Sequence, residues 1–135
     1  MSRARDSQRS RVYRAEEEAF GFCVAPLLSF SECVVQVHFA FELYFPGSRV
    51  PLVADGRGRR RAGGSPSRIS LPRWSRRRWI VLHEIAHAAI PPSAAWHGPE
   101  FAGCYLRLVR RFMGTEAAGR LRASYVAHRV KTRVR

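Results

Sequence analysis

The feature that most constrains this chain is an apolar segment, residues 79–90, with three polar side chains in its middle. The three are His83, Glu84 and His87. A helix that is apolar nearly all round belongs in a protein core, and two prolines directly after residue 90 end it. Because burying an imidazole or a carboxylate without a partner is costly, the segment predicts a buried helix, residues 74–90, whose polar groups share a partner.

The spacing of these polar residues predicts a metal site. His83 and His87 are four residues apart, about 400° around a helix, so both imidazoles leave the same face one turn apart. Two imidazole nitrogens placed in this way can meet one zinc ion at about 2.0–2.1 Å. Glu84 lies about 100° round from His83. There it is predicted to hold a water molecule beside the metal and to take its proton as the catalytic base.

A catalytic zinc ion needs a third protein ligand, and His97 is the predicted one. It follows the two prolines, which can turn the chain back, and it comes just before a helix start at Pro99. Glu100 is the alternative, and it would give a site of two histidines and one glutamate. His38 and His128 are interpreted as ordinary surface or interface histidines.

Four stretches of the chain together resemble a known family. The stretches His83-Glu-Ile-Ala-His87 and His97-Gly-Pro-Glu-Phe101 resemble the SprT-like zincins. The stretches Asp6 to Tyr13 and Ile69 to Trp74 are similar to those of a small bacterial and phage family of metallohydrolases. The resemblance implies a minimal zincin with N-terminal helices, a small sheet, the active-site helix and C-terminal helices, and it implies His83, His87 and His97 as ligands. Many SprT-like proteins add a cysteine zinc ribbon that this chain lacks, so a DNA-repair role does not carry over.

Composition sets the class of protein. With 135 residues, of which 46% are hydrophobic, the chain is expected to form one domain, residues 12–135, behind a loose basic arm, residues 1–11. Three cysteines without a Cys-x-x-Cys pair argue against a disulfide framework. No apolar run is long enough to span a membrane, and no apolar segment follows the N-terminal charges as in a signal peptide. A cytoplasmic protein without membrane contact is therefore expected.

The formal net charge of +14 is the second constraint on function. Such a charge attracts polyanions, nucleic acid above all. Among the basic residues only Lys131 is a lysine, and a GC-rich coding sequence produces the same skew toward arginine, so both interpretations stay open. The arginine clusters at 57–61 and 76–78 are either an approach for an acidic partner or a solvated loop and helix start.

The remaining segments predict an α+β fold. Helices are predicted at 12–24, from Pro99 to Met113, and from Thr115, as a cap, to about residue 128. Residues 30–45 alternate like a strand, but a capping box at Ser29 and Glu32 favours a helix. Short strands are predicted at 49–54 and 68–72 around a loop at 57–67. The tail, residues 129–135, is either an arm or an edge strand.

These observations together predict a zinc-dependent hydrolase acting on a peptide or protein substrate. A zinc amide hydrolase with a non-peptide substrate is one alternative, and a basic nucleic-acid-binding module with a structural zinc ion is another. An oxyanion stabiliser is sought among Tyr105, Tyr125 and the arginines. Asp55 and Glu100 are the candidates for the acceptor that orients a ligand imidazole. The sequence leaves the substrate and the oligomeric state open.

Overall fold

The computed structural model describes residues 3–133; the outermost residues of the predicted arm and tail lie outside the described residues. Five helices and a three-stranded sheet confirm the predicted α+β class. The elements are α1 (Arg9–Phe20), α2 (Phe30–Tyr44), β1 (Leu52–Ala54), β2 (Gly63–Gly64), β3 (Arg68–Ser70), a 3-10 turn (Arg73–Ser75), α3 (Arg78–Ala89), α4 (Pro99–Met113) and α5 (Thr115–Ala127). No helix in the described part of the chain is both long and apolar enough to cross a membrane.

The described chain divides into two compact units. The helical unit combines Met1–Val24 with Ile90–Arg135, and the mixed unit is Ala25–Ala89. Helices α1, α4 and α5 belong to the helical unit, whereas α2, α3 and the sheet belong to the mixed unit. The two units are described in turn.

In the mixed unit, residues 30–45 form a helix, as the capping box predicted. The Ser29 hydroxyl accepts the backbone N–H of Glu32 at 3.1 Å, and the Glu32 carboxylate accepts the backbone N–H of Ser29 at 2.9 Å. The bonds from Ser29, backbone first, lower the pKa of Glu32. The buried side chains of α2 recur at helical spacing: Cys33, Gln36, Val37, Ala40 and Phe41. Satisfied donors in the first turn therefore prevail over the strand-like alternation of the sequence.

The small sheet of the mixed unit has the order β1-β3-β2. Strand β1 pairs with β3 in parallel, and β2 pairs with β3 in antiparallel register with Gly64 opposite Ile69. Strands β1 and β3 fall inside the predicted strands but are shorter. Strand β2 lies inside the predicted loop at 57–67, so that prediction was wrong there. Two glycines have no side chains to alternate, and only pairing with β3 reveals the strand.

Helix α3 begins at Arg78, later than predicted, because Arg73–Ser75 forms a separate 3-10 turn. The basic residues before and at its start are bound to neighbouring segments. The Arg77 guanidinium donates to the carbonyl of Ala25 at 3.1 Å, and that of Arg78 donates to the side chain of Gln36 on α2. Residues 81–88 are all buried. This confirms the prediction of a helix that belongs in the core.

In the helical unit, α5 packs against both α1 and α4. The Ser124 hydroxyl donates to the carbonyl of Ala15 at 2.7 Å, which joins α5 to α1 inside the core. Helix α4 has the predicted bounds, and α5 begins at Thr115, which is its first residue and not its cap. Helix α1 begins and ends earlier than the predicted range of 12–24.

Both ends of the chain are bound to the helical unit over the residues described. Ala4 donates its backbone N–H to Ser93 at 3.0 Å, so the segment predicted as a loose arm is held. Lys131 and the buried Gln8 exchange two hydrogen bonds of 3.0 Å. A Cβ on Gly103 would lie 2.0 Å from the Arg133 carbonyl oxygen, so the tail passes directly over α4. Residues 129–133 contain no strand, so of the two predictions for the tail the edge strand was wrong.

Candidate metal centre

Helix α3 carries two of the three predicted ligands on one face. The Nε2 atoms of His83 and His87 lie 3.1 Å apart, and the two ring centroids lie 4.8 Å apart with their planes at 73°. Two nitrogen ligands at about 2.05 Å from a tetrahedral zinc ion would be about 3.3 Å apart. The i, i+4 spacing has therefore placed the same ring nitrogen of each residue at close to the separation that a shared metal requires.

Both imidazoles on α3 are buried. His83 is 5% exposed and His87 is 7% exposed. If both rings were protonated, two like charges would face each other at 3.1 Å in a buried environment, which disfavours the charged form. The neutral form of imidazole is the one that binds metal ions.

The third polar residue of α3, Glu84, is also buried, and strand β2 approaches its backbone closely. A Cβ on Gly64 would come within 2.3 Å of the Glu84 carbonyl oxygen, so this approach needs a glycine. The carbonyl partner is part of the helix, which cannot shift without moving the turn that carries Glu84. The sheet thus packs directly against the part of α3 that holds the predicted base.

In the helical unit, His97 lies immediately before α4 and is buried. The carboxylate of Asp6 accepts its backbone N–H at 3.2 Å through Oδ1 and contacts its Nδ1 at 3.0 Å through Oδ2. Because a carboxylate accepts a hydrogen bond, Nδ1 carries a proton, and in the neutral imidazole Nε2 then keeps its lone pair. A carboxylate that orients an imidazole in this way is the usual second partner of a metal-binding histidine.

Two aromatic rings fix the imidazole of His97 from its sides. The Tyr13 ring lies 4.8 Å away at 51°, and the Phe101 ring lies 5.3 Å away at 66°. Phe101 is fully buried and stacks on Tyr105 at 5.9 Å. Since α1 supplies Tyr13 and α4 supplies Phe101, the ring of His97 has little freedom to rotate.

The mixed unit carries His83 and His87, and the helical unit carries His97. The alternative third ligand, Glu100, is engaged elsewhere, with its carboxylate 3.7 Å from the Arg133 guanidinium.

The other residues predicted to support the site are Asp55, Glu100, Tyr105 and Tyr125. Asp55 accepts the backbone N–H of Arg57 at 3.0 Å in a turn, whereas the carboxylate that contacts the His97 ring is that of Asp6. Both tyrosines proposed as oxyanion stabilisers are buried in the helical unit. Burial raises the pKa of Tyr125 well above its ordinary value.

Asp6 and Tyr13 are the site residues that sequence reasoning missed. Both stand at the ends of the N-terminal stretch that carries part of the family resemblance. The resemblance of that stretch to the family was the available signal for these two residues, because the segment contains no other motif. The role of Asp6 becomes visible only through its contact with His97, which lies 91 residues later in the chain.

Comparison of the chain with protein-family models, with curated proteins and with solved structures finds no match. The resemblance to SprT-like zincins therefore stays a prediction. The chemistry of the site is taken from its own side chains.

Proposed function

We propose that this protein is a zinc-dependent hydrolase of the zincin type that cleaves peptide bonds. In this proposal His83, His87 and His97 are the metal ligands and Glu84 is the general base. The observation that carries the proposal is the buried pair of imidazoles on α3, whose Nε2 atoms lie 3.1 Å apart. Histidines that served only as polar surface groups would not need to be buried.

The donor set fits a catalytic zinc ion. Three neutral nitrogen ligands with one further position open are typical of catalytic sites, whereas structural zinc sites use four protein ligands. Imidazole also binds copper, iron and nickel. The carboxylate next to the first ligand favours zinc, because hydrolysis with zinc uses such a group as its general base. In the neutral imidazole of His97, the hydrogen bond from Nδ1 to Asp6 leaves the lone pair of Nε2 available to a metal ion.

The residues of the chain divide the chemistry between them. When bound, zinc supplies a Lewis acid that activates water and polarises a carbonyl group. The Glu84 carboxylate accepts a proton from the attacking water and passes it to the leaving amine, so one side chain serves as base and then as acid. The apolar residues around Glu84 exclude bulk water, which strengthens each electrostatic interaction inside the site.

Metal content tests the proposal directly. We expect purified protein to hold about one zinc ion per chain, measured by elemental mass spectrometry, and to regain it after chelation and dialysis. Thermal unfolding should occur at a higher temperature with zinc, because a ligand that binds only the folded state stabilises it. His38→Ala, at an exposed position, is the matched control and should bind zinc like the wild type. Protein that neither holds nor takes up a transition metal would end the proposal.

The Asp6 carboxylate provides a second test. Asp6→Asn keeps the shape of the side chain but removes its charge, so it should weaken zinc binding by about 10–100-fold, the usual effect of such a partner. Chelator competition measures the affinity, and thermal unfolding of the metal-free protein shows whether the fold is preserved. Asp55→Asn is the control carboxylate, since its oxygen bonds only a turn. Equal zinc affinity in both variants would show that Asp6 does not orient the ligand.

A further inference from the structure

The mixed unit contains a basic depression separate from the histidines. It is lined by Arg57 and Arg59, from the loop after β1, and by Arg73 and Trp74, from the 3-10 turn, with Phe30 at its side. We call this surface the arginine groove. Asp55 is the acidic residue among those that line the arginine groove.

The arginines of the groove differ in whether they are already used. The Arg76 guanidinium donates to the carbonyls of Leu71 at 3.0 Å and Asp55 at 3.1 Å, so it is part of the wall. By contrast, the guanidinium groups of Arg57, Arg59 and Arg73 form no hydrogen bond or ion pair with any described residue. These three exposed guanidinium groups line one depression, and like charges repel one another. An anionic ligand would relieve that repulsion.

Trp74 adds an aromatic surface to the charge. It is 53% exposed, which is unusual for so large an apolar ring, and its indole N–H donates to the Arg60 carbonyl at 2.9 Å. That bond fixes the indole against the arginine loop while leaving about half of it in solvent. A fixed aromatic ring among arginines provides both elements used to bind single strands, which are base stacking and contacts to phosphate.

We propose that the arginine groove binds single-stranded nucleic acid, with phosphates on Arg57, Arg59 and Arg73 and a base stacked on Trp74. An acidic peptide would use the arginines but has no aromatic bases to cover the indole. A duplex keeps its base faces inside the stack, so it would leave Trp74 exposed. The net charge of +14 speeds the approach of any polyanion but does not select this surface.

The test is fluorescence anisotropy with a labelled oligothymidylate of about 12 nucleotides, titrated over a range of salt concentrations. The plot of log K against log salt concentration has a negative slope, to which each phosphate contact on a single strand contributes about −0.7. The variant Arg57→Gln/Arg59→Gln/Arg73→Gln should therefore make this slope less steep by about 2. The matched control Arg11→Gln/Arg110→Gln/Arg122→Gln removes the same charge at exposed positions of the helical unit. It should leave the slope nearly unchanged, and an equal loss in both triple variants would overturn the proposal.

The stacking contact is tested separately. Trp74→Ala should weaken binding about 10-fold, which lies within the usual effect of one base–aromatic stack, whereas Trp74→Phe should keep most of it. Trp96→Ala, at another partly exposed tryptophan, should have no such effect. Polyglutamate that competes as well as the oligonucleotide would show an acidic-peptide surface instead. All measurements use the metal-free and the zinc-loaded protein, so a failure here is distinct from a failure of the proposed hydrolase.

Discussion

Replacing Glu84 with glutamine should reduce hydrolysis of casein or of a peptide library by about 10²–10⁴-fold, while zinc binding stays normal. Glutamine has nearly the same shape as glutamate but cannot accept the proton of the attacking water. Because Glu84 lies one residue after His83 on α3 and is not one of the proposed ligands, its replacement should leave the metal ligands in place. The reaction rate and the zinc content are measured on the same preparation.

The control for this variant is Glu100→Gln, which removes a carboxylate that pairs with Arg133. It should leave hydrolysis close to the wild-type rate. Cleavage by Glu84→Gln at the wild-type rate, with zinc bound in both proteins, would contradict the assignment of Glu84 as the base. A loss of zinc together with activity would instead mean that Glu84 helps to hold the site.

Replacing His97 with alanine should weaken zinc binding by about two to three orders of magnitude. Structural zinc sites bind the ion with about 10–16 kcal/mol from four ligands. One ligand therefore contributes about 2.5–4 kcal/mol, which corresponds to roughly 10²–10³ in Kd. His97 is held by Asp6 and by two aromatic rings, so the wild-type ligand is preorganised and its loss is not easily replaced.

Chelator competition on His97→Ala and Glu100→Gln decides between the two predicted third ligands. The glutamine variant should retain zinc like the wild type, because the Glu100 carboxylate is engaged with Arg133. If Glu100→Gln lost zinc and His97→Ala kept it, the site would belong to the class with two histidines and one glutamate. Metal-free unfolding of both variants separates ligand loss from misfolding, since metal binding is coupled to folding.

Local patterns were enough to predict several elements. Helix α4 was predicted within its observed bounds, since a proline at its first position and a glycine after its last residue mark both ends. For residues 30–45 the capping box prevailed over a strand-like alternation. The alternation has a visible consequence, because it leaves Val35, Phe39 and Leu43 exposed on the helix surface. Helix ends are set by hydrogen bonds between near neighbours, and these are readable from a short window of sequence.

Short strands and supporting side chains were harder to predict. Strand β2 consists of two glycines, which carry no hydrophobic pattern, and its register against β3 exists only in the folded sheet. Asp6 was assigned to a loose arm, yet its carboxylate holds His97. Neither the two glycines nor Asp6 has a partner nearby in the sequence that would have revealed its role. Their contacts join segments far apart in the chain, and the preference for such contacts comes from packing and not from spacing.

The sequence by itself determined the metal-site hypothesis, because four residues on a helix bring two imidazoles to one face whatever surrounds that helix. It also determined the α+β class, through periodicity and through the residues that begin and end helices. Only the tertiary structure decided which carboxylate orients His97, that Glu100 pairs with Arg133, and which arginines are left without partners. These outcomes depend on distances between side chains remote in sequence, and such distances are set when the whole chain packs.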